Sequence, residues 1–307
     1  MAINYYRWDD PSAPILTGES GKLVALLDAC LINGYGAKTS AGWTKPFSAT
    51  DIGVYRHPDA GSAYFKIIDD GSVSASSTEN AGLRGYMQMS DINTGTNAFP
   101  IISQYCGIKK STVTTATSKE WVLLEDGGMV YLYIAHNLLT SYGGTYAFGK
   151  FNSRVVGDQY NYMIGASYSD HGAYAYAPWM TSNTATGVAA RAYNGIDESK
   201  LINNYSMHNW TGLVSTSNVG VSELDGTFTL QEDVLLGELN DTSKVVIRGI
   251  YPGMHGIFEQ LSANAYNAST FNSRDGLKSY IIFPLYTTSN PVANYAFEIT
   301  DGGTWWS

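Results

Sequence analysis

Charge is scarce in this chain of 307 residues: 15% are Asp, Glu, Lys or Arg, against roughly 25% in an average globular protein. Bases are scarcer than acids, 18 against 27, giving a net charge of −9, and Lys109-Lys110 is the one adjacent basic pair. The basic footprint that holds phosphate backbones is therefore missing, and no nucleic-acid partner is expected. Long apolar runs are missing too. No stretch reaches the roughly 18 apolar residues of a membrane-crossing helix. The opening Tyr5-Tyr6-Arg7-Trp8-Asp9-Asp10 is not the basic start and apolar core of a secretory signal. The expectation is a chain made and folded in the cytoplasm, without membrane insertion.

Cysteine is nearly absent. Cys30 and Cys106 are the only two, and with no export signal a buried free thiol is the expectation for Cys30, while a disulfide is poorly motivated. The sequons at Asn204, Asn209 and Asn267 then count as loop composition. Metal and nucleotide motifs are also lacking. None of His57, His136, His171, His208 and His255 stands at ligand spacing from another His or Cys, and no phosphate-binding loop, dinucleotide fingerprint or Gly-x-Ser-x-Gly elbow occurs. No metal, no cofactor and no catalytic residue is expected. The acid pairs Asp9-Asp10, Asp69-Asp70, Glu125-Asp126 and Glu232-Asp233 mostly read as turn residues, and Asp170-His171 as a solvated loop pair.

What the chain does have is 44% hydrophobic residues with 32 Gly, 23 Tyr and 7 Trp, a composition that suits strands joined by tight turns. The expected fold is mainly β: two β-rich, sandwich- or barrel-like lobes with one short buried N-terminal helix. That helix is placed near 23–32, an apolar run carrying Asp28 as its one charge and stopped by Asn33-Gly34. Trp43 follows in a glycine-punctuated loop, as an anchor on the core. Val54–Arg56 and Ala63–Ile68 read as strands, and Glu120–Leu124 with Met129–Ile134 across Glu125-Asp126-Gly127-Gly128 as the clearest hairpin. The run Thr112–Ser118 is either a domain boundary or an edge strand, giving an N-terminal domain at 1–115 and a C-terminal domain at 116–307. From Tyr142 to Trp210, long Tyr- and Gly-rich loops are expected, the kind of segment in which binding resides. Pro284 marks an edge or bulged strand.

Several segments also bear a resemblance. Tyr6-Arg7-Trp8-Asp9-Asp10-Pro11-Ser12-Ala13-Pro14, Leu26–Leu31, Asn33-Gly34-Tyr35-Gly36 and Ala41-Gly42-Trp43-Thr44 resemble the opening of virion-associated tail-region proteins of tailed bacteriophages and prophages. Phe148-Gly149-Lys150-Phe151, Gly157-Asp158, Leu235-Leu236-Gly237 and Arg248–Met254 extend the likeness over most of the chain. The resemblance implies a structural subunit of the virion, in the tail or baseplate region, made in the bacterial host cytoplasm and assembled with symmetry. Its partners would be other virion proteins and copies of itself, with the N-terminal domain docking into the particle. It carries no catalytic residues over.

Buried aromatics dominate interface energy, so the interaction candidates are Trp43, Trp179, Trp210, Trp305 and Trp306. The last two are expected to dock, on this subunit in preference to a neighbour. Alternatives are a glycan-binding receptor-recognition protein, with Tyr and Trp stacked on host-surface sugars, and a capsid decoration protein. Glycoside hydrolysis would need two converging acids.

Overall fold

The computed structural model describes residues 2–59, 61–73, 78–100, 105–137, 142–168, 188–195, 200–205, 230–231, 234–241, 244–257, 270–273, 276–286 and 291–306. Its elements run β1 (Asn4–Arg7), α1 (Lys22–Leu27) continuing into a π-helical segment (Asp28–Asn33), β2 (Thr44–Ala49), β3 (Ile52–Arg56), β4 (Tyr64–Ile68), β5 (Asn80–Met89), β6 (Gly95–Phe99), β7 (Cys106–Lys109), β8 (Glu120–Asp126), β9 (Met129–Asn137) and β10 (Tyr142–Lys150). There follow β11 (Asn152–Ser153), β12 (Tyr162–Gly165), β13 (Ser167–Tyr168), β14 (Val188–Ala190), β15 (Lys200–Tyr205), β16 (Leu230–Gln231), β17 (Leu235–Asp241), β18 (Lys244–Ile250), β19 (Met254–Ile257), β20 (Thr270–Asn272), β21 (Ser279–Tyr286) and β22 (Pro291–Glu298). The fold is mainly β, with one short helix, as the composition implied.

Among the described residues three sheets form, of ten, seven and five strands, and every pairing within them is antiparallel. The largest runs β1-β8-β9-β10-β12-β14-β15-β17-β18-β11. Its middle strands carry runs of consecutive apolar residues, Trp121–Leu124 and Met129–Ala135, rather than an apolar residue at every second position, the signature of a sheet covered on both faces. Side chains alternate across a strand. Trp121, Leu123, Val130, Leu132, Ile134, Phe148 and Ile164 therefore enter a core shared with α1 and the seven-stranded sheet. Their neighbours Val122, Leu124, Tyr131, Tyr133, Ala147 and Met163 enter a second core with β21 and β22 of the five-stranded sheet. The two cores are opposite faces of one sheet.

That arrangement cuts across a division at 115. β1 pairs with β8, Tyr6 against Leu123, and the first core draws on both sides of that position. The run 112–118 is an exposed bend, tied to the N-terminal segment where Gly18 N–H donates to the Thr115 carbonyl at 3.3 Å and Lys119 N–H to that of Leu16 at 2.8 Å. Pro284 lies past the end of the β20 pairing, one residue before a register shift at Leu285/Tyr286, so no central ladder needs its missing N–H.

The helix stops at Gly34, whose φ of 76° is one that glycine tolerates, and buries Leu23, Val24, Leu26, Leu27, Cys30 and Leu31. It widens after Leu27 because the returning loop takes its last carbonyls: Ala41 N–H donates to Cys30 O at 3.0 Å and Trp43 N–H to Leu31 O at 2.9 Å. Cys30 and Cys106 are both buried free thiols. The helix is thus spent in the chain's own core.

Its N-terminus is capped from afar. Gly21 has no side chain to cap with, and Asp69 Oδ2 accepts the Leu23 N–H at 2.7 Å across 46 residues. The other Asp69 oxygen meets the Lys110 ammonium, and both side chains are fully buried. Burial pushes the Asp69 carboxyl up to about 6, against the pull of Lys110 and the helix N–H groups, and burial pushes Lys110 down. Lys110→Met leaves Asp69 as a buried charge without its counter-ion and should cost about 3–5 kcal/mol in urea unfolding. Asp69→Asn with Lys110→Met, which keeps an acceptor for Leu23, should recover most of that loss. Equal losses in the single and double variants would refute this account.

Candidate functional site

Three of the five tryptophans singled out by sequence, Trp43, Trp305 and Trp306, converge on one strand end. Residues Glu125 and Asp126 close β8, and strand alternation sends their carboxylates to opposite faces of the central sheet. On the first face Glu125 accepts from Trp43 Nε1 at 3.0 Å, Asn4 Nδ2 at 2.8 Å and Gly128 N–H at 3.1 Å. On the second, Asp126 accepts from Trp305 N–H at 2.5 Å and Thr304 Oγ1 at 2.7 Å, while its own carbonyl accepts from Trp306 Nε1 at 3.0 Å. The intervening Gly127 and Gly128 have φ of 58° and 91°, a two-residue hairpin turn open to glycine. The Trp306 indole also lies where a Gly127 side chain would stand. Glu125 keeps one bond to its own turn, the Gly128 N–H, while the other side-chain contacts of Glu125 and Asp126 are long-range. They fasten a distant loop and the C-terminal segment to the sheet.

Trp43 and Trp305 are buried in their own chain, and Trp306 is half-buried beneath the Lys150 ammonium, 5.6 Å from its ring. Trp179 and Trp210 lie outside the described residues, as do His171, His208 and the Glu232-Asp233 pair. Trp8, which sequence reasoning passed over, is 43% exposed, with Ile15 and Val113 exposed on the adjoining segments. Trp8 N–H is bound to the Trp121 carbonyl at 3.0 Å. Asp9 pairs with Arg7 at 2.7 Å, and Asp10 accepts the Tyr35 hydroxyl at 2.8 Å. Together with Asp69, Glu125 and Asp126, these acids are each engaged by a structural partner. Among the described residues, no three His, Cys, Asp or Glu gather as a metal site.

A cleft of about 580 Å³ opens beside this strand end. One wall comes from the seven-stranded sheet: Arg56 at the end of β3, Tyr64 beside it on β4, Met87 and Gln88 on β5, and Asn97 on β6. The other wall is Lys150, at the end of β10, and the segment 158–162 leading into β12. That segment is held from behind by Arg248, fully buried within the otherwise apolar run Val245–Ile250 of β18. Its Nε and Nη2 reach Asp158 at 3.0 and 3.1 Å, Nη2 also donates to the Tyr160 carbonyl at 2.7 Å, and Nη1 donates to the carbonyl of Arg191. Ser153 Oγ donates to Asp158 at 2.8 Å, and the Arg248 guanidinium lies 5.2 Å from the Phe151 ring. The 158–162 wall is thus preset by a buried bidentate pair.

No protein-family model matches the chain, and comparison with curated proteins finds no matching sequence.

One further group stands between cleft and core. His57 is buried edge-on against Trp43 at 5.7 Å, and its Nε2 has no hydrogen-bond partner among the described residues. Burial lowers its pKa, with Lys150 acting the same way and Asp59 and Asp126 opposing. A buried histidine held neutral stabilises fully above the ordinary value of about 6.5 and loses that contribution as pH falls below it, because the unfolded chain binds the proton first. Wild type should therefore lose stability relative to His57→Gln by up to about 1.4 kcal/mol per pH unit below pH 6.5. Parallel denaturation curves from pH 7.5 to 5 measure this, and a difference constant with pH would refute it. At the strand end, Trp305→Ala should cost about 3–5 kcal/mol in thermal or urea unfolding of the isolated chain. An unchanged melting temperature would show that Trp305 is not held as described.

Proposed function

We propose that the chain is a structural subunit of a bacteriophage virion, in the tail or baseplate region, acting through contacts with copies of itself and with other virion proteins. The observation that carries the reading is where the segments resembling tail-region proteins lie. Phe151 and Asp158 meet Arg248 in one buried joint. Leu236 and Tyr251 bury in the core to which Phe151 also belongs. The likeness thus falls on a packing unit rather than on reactive groups.

The commitment of the acids supports the same reading. Asp69, Glu125, Asp126 and Asp158 hold a helix end, two tryptophans and a loop, which leaves surfaces as the means of action. Trp43, Trp305 and Trp306 are occupied within the chain, so the anchors toward neighbours are Trp8, Ile15 and Val113. They lie on hydrogen-bonded segments beside β1 and the 112–118 bend. A capsid decoration role would differ only in position on the particle.

Particles purified from the producing host should contain the chain, and a cryo-electron reconstruction should place it in the tail or baseplate. Trp8→Ser with Ile15→Ser should leave the melting temperature of the isolated chain within about 1–2 °C, since exposed positions contribute little to folding, while reducing its incorporation into particles. Its absence from purified particles would end the reading, and undiminished incorporation of the variant would move the contact elsewhere.

A further inference from the structure

The cleft between β3–β6 and the 158–162 segment has a lining unlike an apolar pocket. Its size falls within the roughly 300–1,000 Å³ of small-molecule sites. Met87 is its one aliphatic side chain, and the rest is three tyrosines, four carboxamides, a serine, a glycine, an arginine, a lysine and Asp158. The side-chain amides of Gln88, Asn97 and Gln159 make no hydrogen bond among the described residues, and Asn161 spends one N–H on the Phe151 carbonyl at 3.3 Å. Each carboxamide offers two donors and an acceptor, the inventory that matches vicinal hydroxyls. A hydrophobic ligand would leave those amides desolvated without partners, a cost that selects against it.

The charges in the cleft are of one sign. Asp158 is neutralised by Arg248, both side chains being fully buried, and Asp59, the other acid near Tyr162, is not part of the lining. Arg56 and Lys150 are in no ion pair among the described residues. Arg56 Nε donates to the Ser62 carbonyl at 3.1 Å, and its guanidinium lies 4.8 Å from the Tyr64 ring. These contacts fix the guanidinium and leave its charge uncancelled. Tyr160 supplies an aromatic surface, seated on Gly195 with the Arg191 guanidinium 5.7 Å from its ring.

We propose that this cleft binds an acidic saccharide, its hydroxyls on the carboxamides of Gln88, Asn97, Gln159 and Asn161, an apolar sugar face against Tyr160, and its anionic group on Arg56 and Lys150. The wall that meets the sugar is set in advance by the Arg248–Asp158 pair, so little ordering entropy is lost on binding. The assignment does not depend on the virion reading, because it concerns only what the isolated chain holds.

The test applies the full chain to an array of uronate-, sialate- and phosphate-bearing oligosaccharides with neutral counterparts, followed by titration calorimetry on the best binder. At least one acidic class should bind saturably, about tenfold or more tighter than its neutral counterpart. Arg56→Gln should erase that preference. Gln88→Trp, a blocking change at an exposed position that the fold does not need, should abolish binding of both kinds. Lys22→Gln, a surface amine far from the cleft in sequence, should change nothing. Binding by inorganic phosphate or by tetraglutamate as tightly as by the best saccharide would overturn the proposal. So would an array on which no acidic oligosaccharide binds, or binding that survives Gln88→Trp.

Discussion

The middle strands of the largest sheet, β8, β9, β10, β12 and β14, are covered on both faces, and most of the molecule follows from that. Apart from Glu120 and Lys150 at their ends, the residues of these strands whose burial is described are buried, so each must pack against one neighbouring layer or the other. Tyr131 meets Phe297 at 4.7 Å and Tyr133 stacks on Phe283 at 5.2 Å on one side, while Phe148 meets Phe65 at 5.3 Å on the other. Each such ring buries an area that dominates local energetics, and paired rings add about 0.5–1.5 kcal/mol. A sheet of this kind cannot be cut into independent halves, because either half would expose one face of it.

Several of the buried polar groups lie at strand ends, and the chain uses these ends as its fastening line. Glu125 and Asp126 leave the sheet in opposite directions and hold Trp43 and Trp305, residues separated by most of the sequence. Asp69 closes the helix N-terminus and takes Lys110 as counter-ion. Burial pushes Glu125 up, as it does Asp69, while the N–H donors on Trp43, Asn4 and Gly128 pull it back toward the charged form. A buried carboxylate persists under such conditions only when hydrogen bonds or a counter-ion favour its charged form, and Asp69 and Glu125 each have such partners on both oxygens.

How much of this was legible in the sequence depends on the range of the interaction. Strands at 52–56 and 64–68, the hairpin across Gly127-Gly128 and the helix stopped at Gly34 are local, and spacing and turn residues announce them. The unbroken apolar runs Trp121–Leu124 and Met129–Ala135 also stated that both faces are covered, although they could not say by what. The pairing of β1 with β8 is non-local, and neither partner's composition announces it, so a boundary near 115 looked natural. Asp69-Asp70-Gly71 and Glu125-Asp126-Gly127 look like turn chemistry and in part are, since Asp70 accepts the Ser72 N–H and Glu125 the Gly128 N–H. The sequence does not announce that Asp69, Glu125 and Asp126 are also claimed by residues 41 to 179 positions away. Arg248 was the readable exception: a single charge inside Val245–Ile250 requires a buried partner, and only the fold identifies it as Asp158.

The position of the cleft is a consequence of the same layering. A ligand site needs polar groups that are held in fixed geometry, keep unspent hydrogen-bonding capacity and can be reached from solvent, and the packed interior of the sheets gives no such access. At the rim, strand ends deliver Arg56, Tyr64, Gln88 and Lys150 from rigid elements, and the one irregular wall, 158–162, is held by the buried Arg248. Removing Arg248 would act on the cleft without touching its contents, by loosening Tyr160 and Asn161 while leaving Arg56 and Gln88 in place. The cleft is therefore as well ordered as the joint behind it, and that joint exists because β18 brings an arginine to the point where β11 turns toward β12.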